Sequence, residues 1–182
     1  MNFANFLTCS RGVLAVIFTV LLFYPGPFGK ILALFVFVLA ALTDYWDGVV
    51  ARRMKEISAF GKLMDPITDK MLTLSAFFSF WYLGVLPLWM VLVVVVREGV
   101  VTVARFFMPV NSSGFAAQKS GKIKTVLQFV FIIAVLLYLV ARQVPDWQPV
   151  WNERAILIAR GAMLLIVAVT VWSGAQVFSK KS

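Results

Sequence analysis

The chain has 182 residues, 62% of them hydrophobic and only 14% charged, with 17 basic side chains against 8 acidic ones and a net charge of +9. Together with a mean hydropathy of +0.92, that balance excludes an ordinary soluble domain and calls for lipid around the chain. The absence of histidine and the single cysteine, Cys9, exclude disulfide frameworks and leave zinc or haem without ligands, so any bound metal must sit on oxygen.

In chain order, Met1 to Arg11 carries Phe3, Phe6 and Leu7 on one side and is expected to lie along the membrane interface as a short helix. Apolar stretches follow at Gly12 to Tyr24, Ile31 to Thr43, Met71 to Leu88, Trp89 to Val96, Thr125 to Ala141 and Ala155 to Trp172. One spanning helix takes about 20 apolar residues, so the second stretch must continue through Asp44, Asp47 and Ala51, and the fourth through Arg97, Glu98 and Val103. Breaks are marked by Tyr24 to Pro27, Lys55 to Gly61, Gly84 to Pro87, Pro109 to Gly114 and Gln143 to Pro149. No basic side chain precedes Arg11 and no small-residue cleavage pattern precedes Pro25, so the first helix reads as retained. The expectation is an all-α membrane protein, residues 1–182 forming one domain of six transmembrane helices.

Six spans with both termini on one side leave only Lys30, Arg142, Arg154 and Arg160 on the other, so 13 of the 17 basic residues share the side of the termini. That bias predicts cytosolic termini in a multi-pass protein of the cell inner membrane. It also accounts for the positive charge without nucleic acid.

Residues 44–69 hold five of the eight acidic residues. On a helix Asp44 and Asp47 are neighbours one turn apart, and Gly61, Asp65 and Asp69 follow one another along a second face. Residues 53–60 suffice to turn the chain and bring the two faces together. Two like charges about 4 Å apart repel by about 1 kcal/mol in water and about 4 kcal/mol at an effective dielectric near 20. Four carboxylates therefore need protons or cations between them, and Mg²⁺ or Mn²⁺ suits an all-oxygen site. A salt-bridge network with Arg52, Arg53, Lys55 and Lys62 would also neutralise the aspartates. Gly48 and Gly61 favour a ligand, because glycine costs a helix about 1 kcal/mol and is useful where something approaches the backbone. Pro66 is compatible with a first helical turn near Asp65.

The pattern Asp44-x-x-Asp47-Gly48-x-x-Ala51-Arg52, eight residues, then Gly61-x-x-x-Asp65-x-x-x-Asp69 resembles the complete signature of the CDP-alcohol phosphotransferases. The resemblance implies six membrane helices, a homodimer, a cytosol-facing cavity for a CDP-linked donor and two divalent ions. It places the metals on Asp44, Asp47, Asp65 and Asp69, and gives Asp69 the further role of base for the acceptor hydroxyl. Gly48, Ala51, Arg52 and Gly61, with Thr8, would line the donor site.

Asn5-Phe6-Leu7-Thr8-x-x-Arg11, Gly121-Lys122-Ile123-Lys124-Thr125 with Gln128, and Arg97-Glu98 with Arg105 resemble the branch of that family whose acceptor is glycerol 3-phosphate. A phosphorylated acceptor requires its own cations, and Arg105, Lys119, Lys122 and Lys124 fall on the side of the aspartates. Positive-inside topology alone would also account for these lysines, and Arg97-Glu98 reads equally as an ion pair fixing helix packing. The expected reaction is phosphatidyl transfer from CDP-diacylglycerol. The alternatives are another acceptor (inositol phosphate, serine or phosphatidylglycerol) or a divalent-cation transporter, which predicts more acidic residues on the far side than Asp146 and Glu153.

Overall fold

A computed structural model describes the backbone of residues 3–51, 59–107 and 119–179, and the side chains of residues 10–43, 70–104 and 123–175. Among the described residues the chain is wholly helical, in six elements: α1 (Phe3–Phe23), α2 (Pro27–Ala51), α3 (Ala59–Tyr82), α4 (Leu88–Phe107), α5 (Lys119–Ala141) and α6 (Pro149–Ser179). Ile123–Ala141 and Pro149–Ala175 are long and apolar enough to cross a membrane, and Ser10–Phe23 and Pro27–Thr43 are shorter apolar helices.

Three expected breaks coincide with observed turns, and local chemistry explains each. α2 and α6 both open on proline, which tolerates the first helical position because its missing N–H has no partner there anyway. α3 closes with Gly84 at φ +74, its N–H donating to the Trp81 carbonyl while the Val85 N–H donates to the Phe80 carbonyl at 2.9 Å. This left-handed cap satisfies carbonyls that would otherwise end the helix unpaired. From α6, the Arg160 guanidinium adds bonds to the carbonyls of Val85 at 3.3 Å and Gly84 at 3.4 Å. Between α1 and α2, Gly26 takes φ +84. At Gly29 a Cβ would lie 2.7 Å from the Leu21 carbonyl oxygen and 2.8 Å from the Tyr24 Cβ. Gly29→Ala is expected to cost about 1–3 kcal/mol through overpacking, read as a lower melting temperature in detergent.

Three sequence expectations change: α2 and α3, expected to turn back directly on one another, each pack chiefly on α1, which stands between them in the helix contacts. The N-terminal segment is not a separate interfacial helix: α1 runs unbroken from Phe3 through Arg11 to Phe23, since the segment holds no proline and one tolerated glycine, Gly12. α3 begins at Ala59, about two turns before Pro66, so Pro66 does not open the helix. The expected break at Pro109 to Gly114 lies outside the described residues.

The helix contacts close a ring in the order α1, α2, α5, α6, α4, α3 and back to α1, with α3 also touching α5 across it. Large side chains fill the interior: Phe18, Phe37, Phe77, Phe80, Ile132 and Met163 are fully buried. Phe37 meets Phe18 of α1 at 5.6 Å and Phe129 of α5 at 5.7 Å, and Phe77 of α3 meets Phe131 of α5 at 6.2 Å between ring centroids. The outside is apolar as well. Leu157 and Ile158 are each 72% exposed and Leu165 71%, a surface that water does not favour.

At one end of the ring, exposed aromatic residues collect where α1 and α3 finish and α4 and α6 start: Tyr24, Trp81, Tyr82, Trp89 and Trp151. Phe23 packs edge-on against Tyr82 at 5.3 Å, so α1 and α3 run parallel and finish together. Their starting ends therefore share the opposite end of the ring.

Candidate active site

That opposite end gathers the residues singled out in the sequence. Asp44, Asp47, Gly48 and Ala51 occupy the last turns of α2, and Gly61, Asp65 and Asp69 the first turns of α3. Thr8 lies near the start of α1, Arg105 in the last turn of α4, and Lys119, Lys122 and Lys124 in the first turns of α5. Apart from Lys124, the side chains of these residues lie outside the described ones, and Arg52 lies wholly outside them.

Ring contacts fix the levels of these positions. From the Phe18–Phe37 contact, Thr8 lies ten residues back along α1 and Asp47 ten residues forward along α2, each about 15 Å away at 1.5 Å per residue. From the Phe37–Phe129 contact, Asp44 and Lys122 each lie seven residues towards the same end. Because α2 and α3 are continuous through their motif positions, Asp44 and Asp47 share one helix face, as do Asp65 and Asp69. The oxygen-only donor set fits a hard divalent ion.

Beside this region stands a buried charge cluster. Glu98 of α4 is 6% exposed and is the helix's one acidic residue, directly after Arg97 in a largely apolar stretch. Its Oε2 accepts from Lys70 Nζ of α3 at 3.0 Å, and its Oε1 accepts from Lys124 Nζ of α5 and from Arg97 at 3.2 Å. Lys70 also donates to the Glu98 carbonyl at 3.2 Å and to the Thr102 hydroxyl. Thr102 in turn donates to the same carbonyl at 2.7 Å. The other end of the Arg97 guanidinium donates to the Ser173 hydroxyl of α6 at 2.9 Å. Gly174 leaves space for it, since a Cβ there would stand 3.2 Å from Arg97 Nε. One carboxylate thus joins α3, α4 and α5, and its neighbour Arg97 extends the link to α6.

The Arg97–Glu98 pair is present, as one of the two sequence readings had it. Lys124, expected at the acceptor phosphate, is 6% exposed and held by Glu98. Lys70 entered the sequence reading only through its charge. No spacing rule links it to Glu98, 28 residues on, although a lone glutamate in an apolar helix is a signal to look for a cationic partner.

The sequence profile of the CDP-alcohol phosphatidyltransferases matches residues 1–172. The chain belongs to that family. All eight signature positions fall inside the match. Among relatives, the chain is 30% identical to a CDP-diacylglycerol–glycerol-3-phosphate 3-phosphatidyltransferase of Bacillus subtilis, over 98% of this chain and 94% of the relative. It is 34% identical to a probable phosphatidylglycerophosphate synthase of Mycobacterium tuberculosis, over 93% of this chain and 78% of the relative. A further CDP-diacylglycerol–glycerol-3-phosphate 3-phosphatidyltransferase, from Salmonella typhimurium, is 30% identical over 98% of this chain and 93% of the relative. Membership in this family, together with the two apolar helices of spanning length, makes the chain a membrane protein.

Proposed function

We propose that the protein transfers the phosphatidyl group of CDP-diacylglycerol to sn-glycerol 3-phosphate, forming phosphatidylglycerophosphate and releasing CMP. The observation that carries this reading is full-length similarity to relatives bearing that name. The intact signature, with its described positions on helix ends at one level of the ring, supports it. The chain is accordingly a transferase of phospholipid biosynthesis.

In the reaction, the acceptor hydroxyl oxygen bonds to the phosphatidyl phosphorus while the bond from that phosphorus to the CMP oxygen breaks. CMP leaves with the electron pair. Asp69 takes the hydroxyl proton as the new bond forms, a timing that suits a carboxylate, which is a weak base towards a free alcohol. Arg52, always charged, suits contact with the donor phosphates, beside Gly48, Ala51, Gly61 and Thr8. Asp44, Asp47, Asp65 and Asp69 would hold two divalent ions, Mg²⁺ or Mn²⁺; when bound, these supply charge neutralisation of the pyrophosphate and of the departing CMP. Arg105, Lys119 and Lys122 offer cations to the acceptor phosphate, and Lys124, on the same turns of α5 as Lys122, is held by Glu98.

All six helices cross the bilayer in this reading, with both termini and the site in the cytosol and the protein acting as a homodimer in the inner membrane. The aromatic end of the ring supports it, since tyrosine and tryptophan favour the membrane interface. That end stands opposite the end rich in lysine and arginine.

The test is an acceptor screen with purified protein and labelled CDP-diacylglycerol. Glycerol 3-phosphate should give phosphatidylglycerophosphate; product from inositol phosphate, serine or phosphatidylglycerol instead would overturn the acceptor assignment. Lys122→Ala should raise the KM for glycerol 3-phosphate about tenfold or more, the loss of one charge-assisted contact, and leave the donor KM nearly unchanged.

A further inference from the structure

An ion pair that served only to pack helices would need one cation for one carboxylate. Glu98 has three, from Lys70, Arg97 and Lys124, so among the described side chains the cluster carries an excess of two positive charges. Glu98 and Lys124 are both buried, where uncompensated charge is costly. A phosphate monoester dianion brings two negative charges. Among the described side chains the cluster is thus cationic, as a site for a phosphorylated acceptor needs, and Glu98 decides where two of its three cations stand.

The sequence positions of those two cations matter. Lys70 follows Asp69 on α3, and Lys124 lies two residues after Lys122 on α5. The carboxylate divides its oxygens between them, Oε2 to Lys70 and Oε1 to Lys124. The third cation, Arg97, shares Oε1 at 3.2 Å and carries its other end to Ser173 of α6. Thr102, one turn along α4, takes a further bond from Lys70, so that ammonium is fixed from two directions.

We propose that Glu98 is a positioning residue for the acceptor: by holding Lys70 and Lys124 it sets α5, with Lys122, against α3, with Asp69. The inference rests on the reading that glycerol 3-phosphate is the acceptor. It assigns the Arg97–Ser173 contact to packing of α4 on α6, and the two lysine contacts to acceptor geometry. Displacement of reacting groups by about 1 Å can cost on the order of a hundredfold in rate.

The test compares Glu98→Gln and Ser173→Ala with the parent protein, measuring KM for each substrate, kcat and melting temperature. Glu98→Gln should raise the KM for glycerol 3-phosphate about tenfold and lower kcat about tenfold, with the donor KM within about twofold of the parent's. Glu98→Asp, which keeps the charge on a shorter stem, should recover part of the loss. Ser173→Ala should lower the melting temperature and leave both KM values in place. If Glu98→Gln does not fold, Glu98→Asp carries the same readout, and its acceptor KM should exceed the parent's.

Unchanged acceptor kinetics in a folded Glu98 variant, with only a lower melting temperature, would make the cluster purely structural and overturn the inference. A lower acceptor KM would overturn it too, because Glu98 would then only compete with the phosphate for the lysines. A parent protein that makes no product from glycerol 3-phosphate would instead refute the acceptor reading, and so is distinguishable from either result.

Discussion

Asp69→Asn is expected to reduce phosphatidyl transfer by about a thousandfold or more while leaving binding of CDP-diacylglycerol within about an order of magnitude of the parent's. The exchange keeps size and hydrogen-bonding capacity but removes the charge and the proton-accepting oxygen. Asp69 lies in the third turn of α3, one turn beyond Asp65 on the same face, so it combines the proposed metal role with that of base. In the proposed site donor affinity is shared with Arg52 and the small residues Gly48, Ala51 and Gly61, so it should survive. Release of CMP under saturating acceptor, compared with equilibrium binding of the donor, separates the two effects. Equal turnover in variant and parent would remove Asp69 from the chemistry.

Stripping divalent ions should have an effect of similar size. With EDTA present, CMP release should fall below detection, and Mg²⁺ or Mn²⁺ in excess should restore it. The reason is electrostatic: in the proposed site four carboxylates at one end of two helices would face a substrate pyrophosphate that is itself anionic, and each pair of like charges about 4 Å apart repels by about 4 kcal/mol at the effective dielectric of a protein surface. Without cations neither the site nor the donor complex is favourable. Ca²⁺, larger and more tolerant of irregular coordination, should support less activity than Mg²⁺. Turnover that persists through chelation would separate the aspartates from the reaction.

Much of the architecture was legible from the sequence because proline and glycine punctuate it. Pro27 and Pro149 open helices, and Gly84 closes one with a backbone conformation that other residues rarely adopt. The signature itself needed only spacing, since i, i+3 and i, i+4 relations survive whatever the rest of the fold does. Which helices touch was not legible. Hydropathy marks every span alike, and nothing in it says that α2 meets α5 or that α6 meets α4.

The charge cluster was half visible for the same reason. Arg97 and Glu98 are adjacent and announce themselves. Their partners Lys124 and Ser173 stand 26 and 76 residues away along the chain, brought in by ring closure alone. The N-terminal segment misled because a stripe of Phe3, Phe6 and Leu7 is compatible with an interfacial helix and equally with the first turns of a longer one, and no breaker separates it from Val13.

Whether the four aspartates form a divalent-metal centre is decided by counting Mn²⁺ bound per chain, using electron paramagnetic resonance of the free ion during titration with CDP-diacylglycerol present. About two ions per chain are expected in the parent protein, the number used in two-metal phosphoryl chemistry, with a loss of binding in Asp44→Asn, Asp47→Asn, Asp65→Asn and Asp69→Asn. Mn²⁺ binding that is absent from the parent, or unchanged across all four variants, would contradict a metal centre on the aspartates.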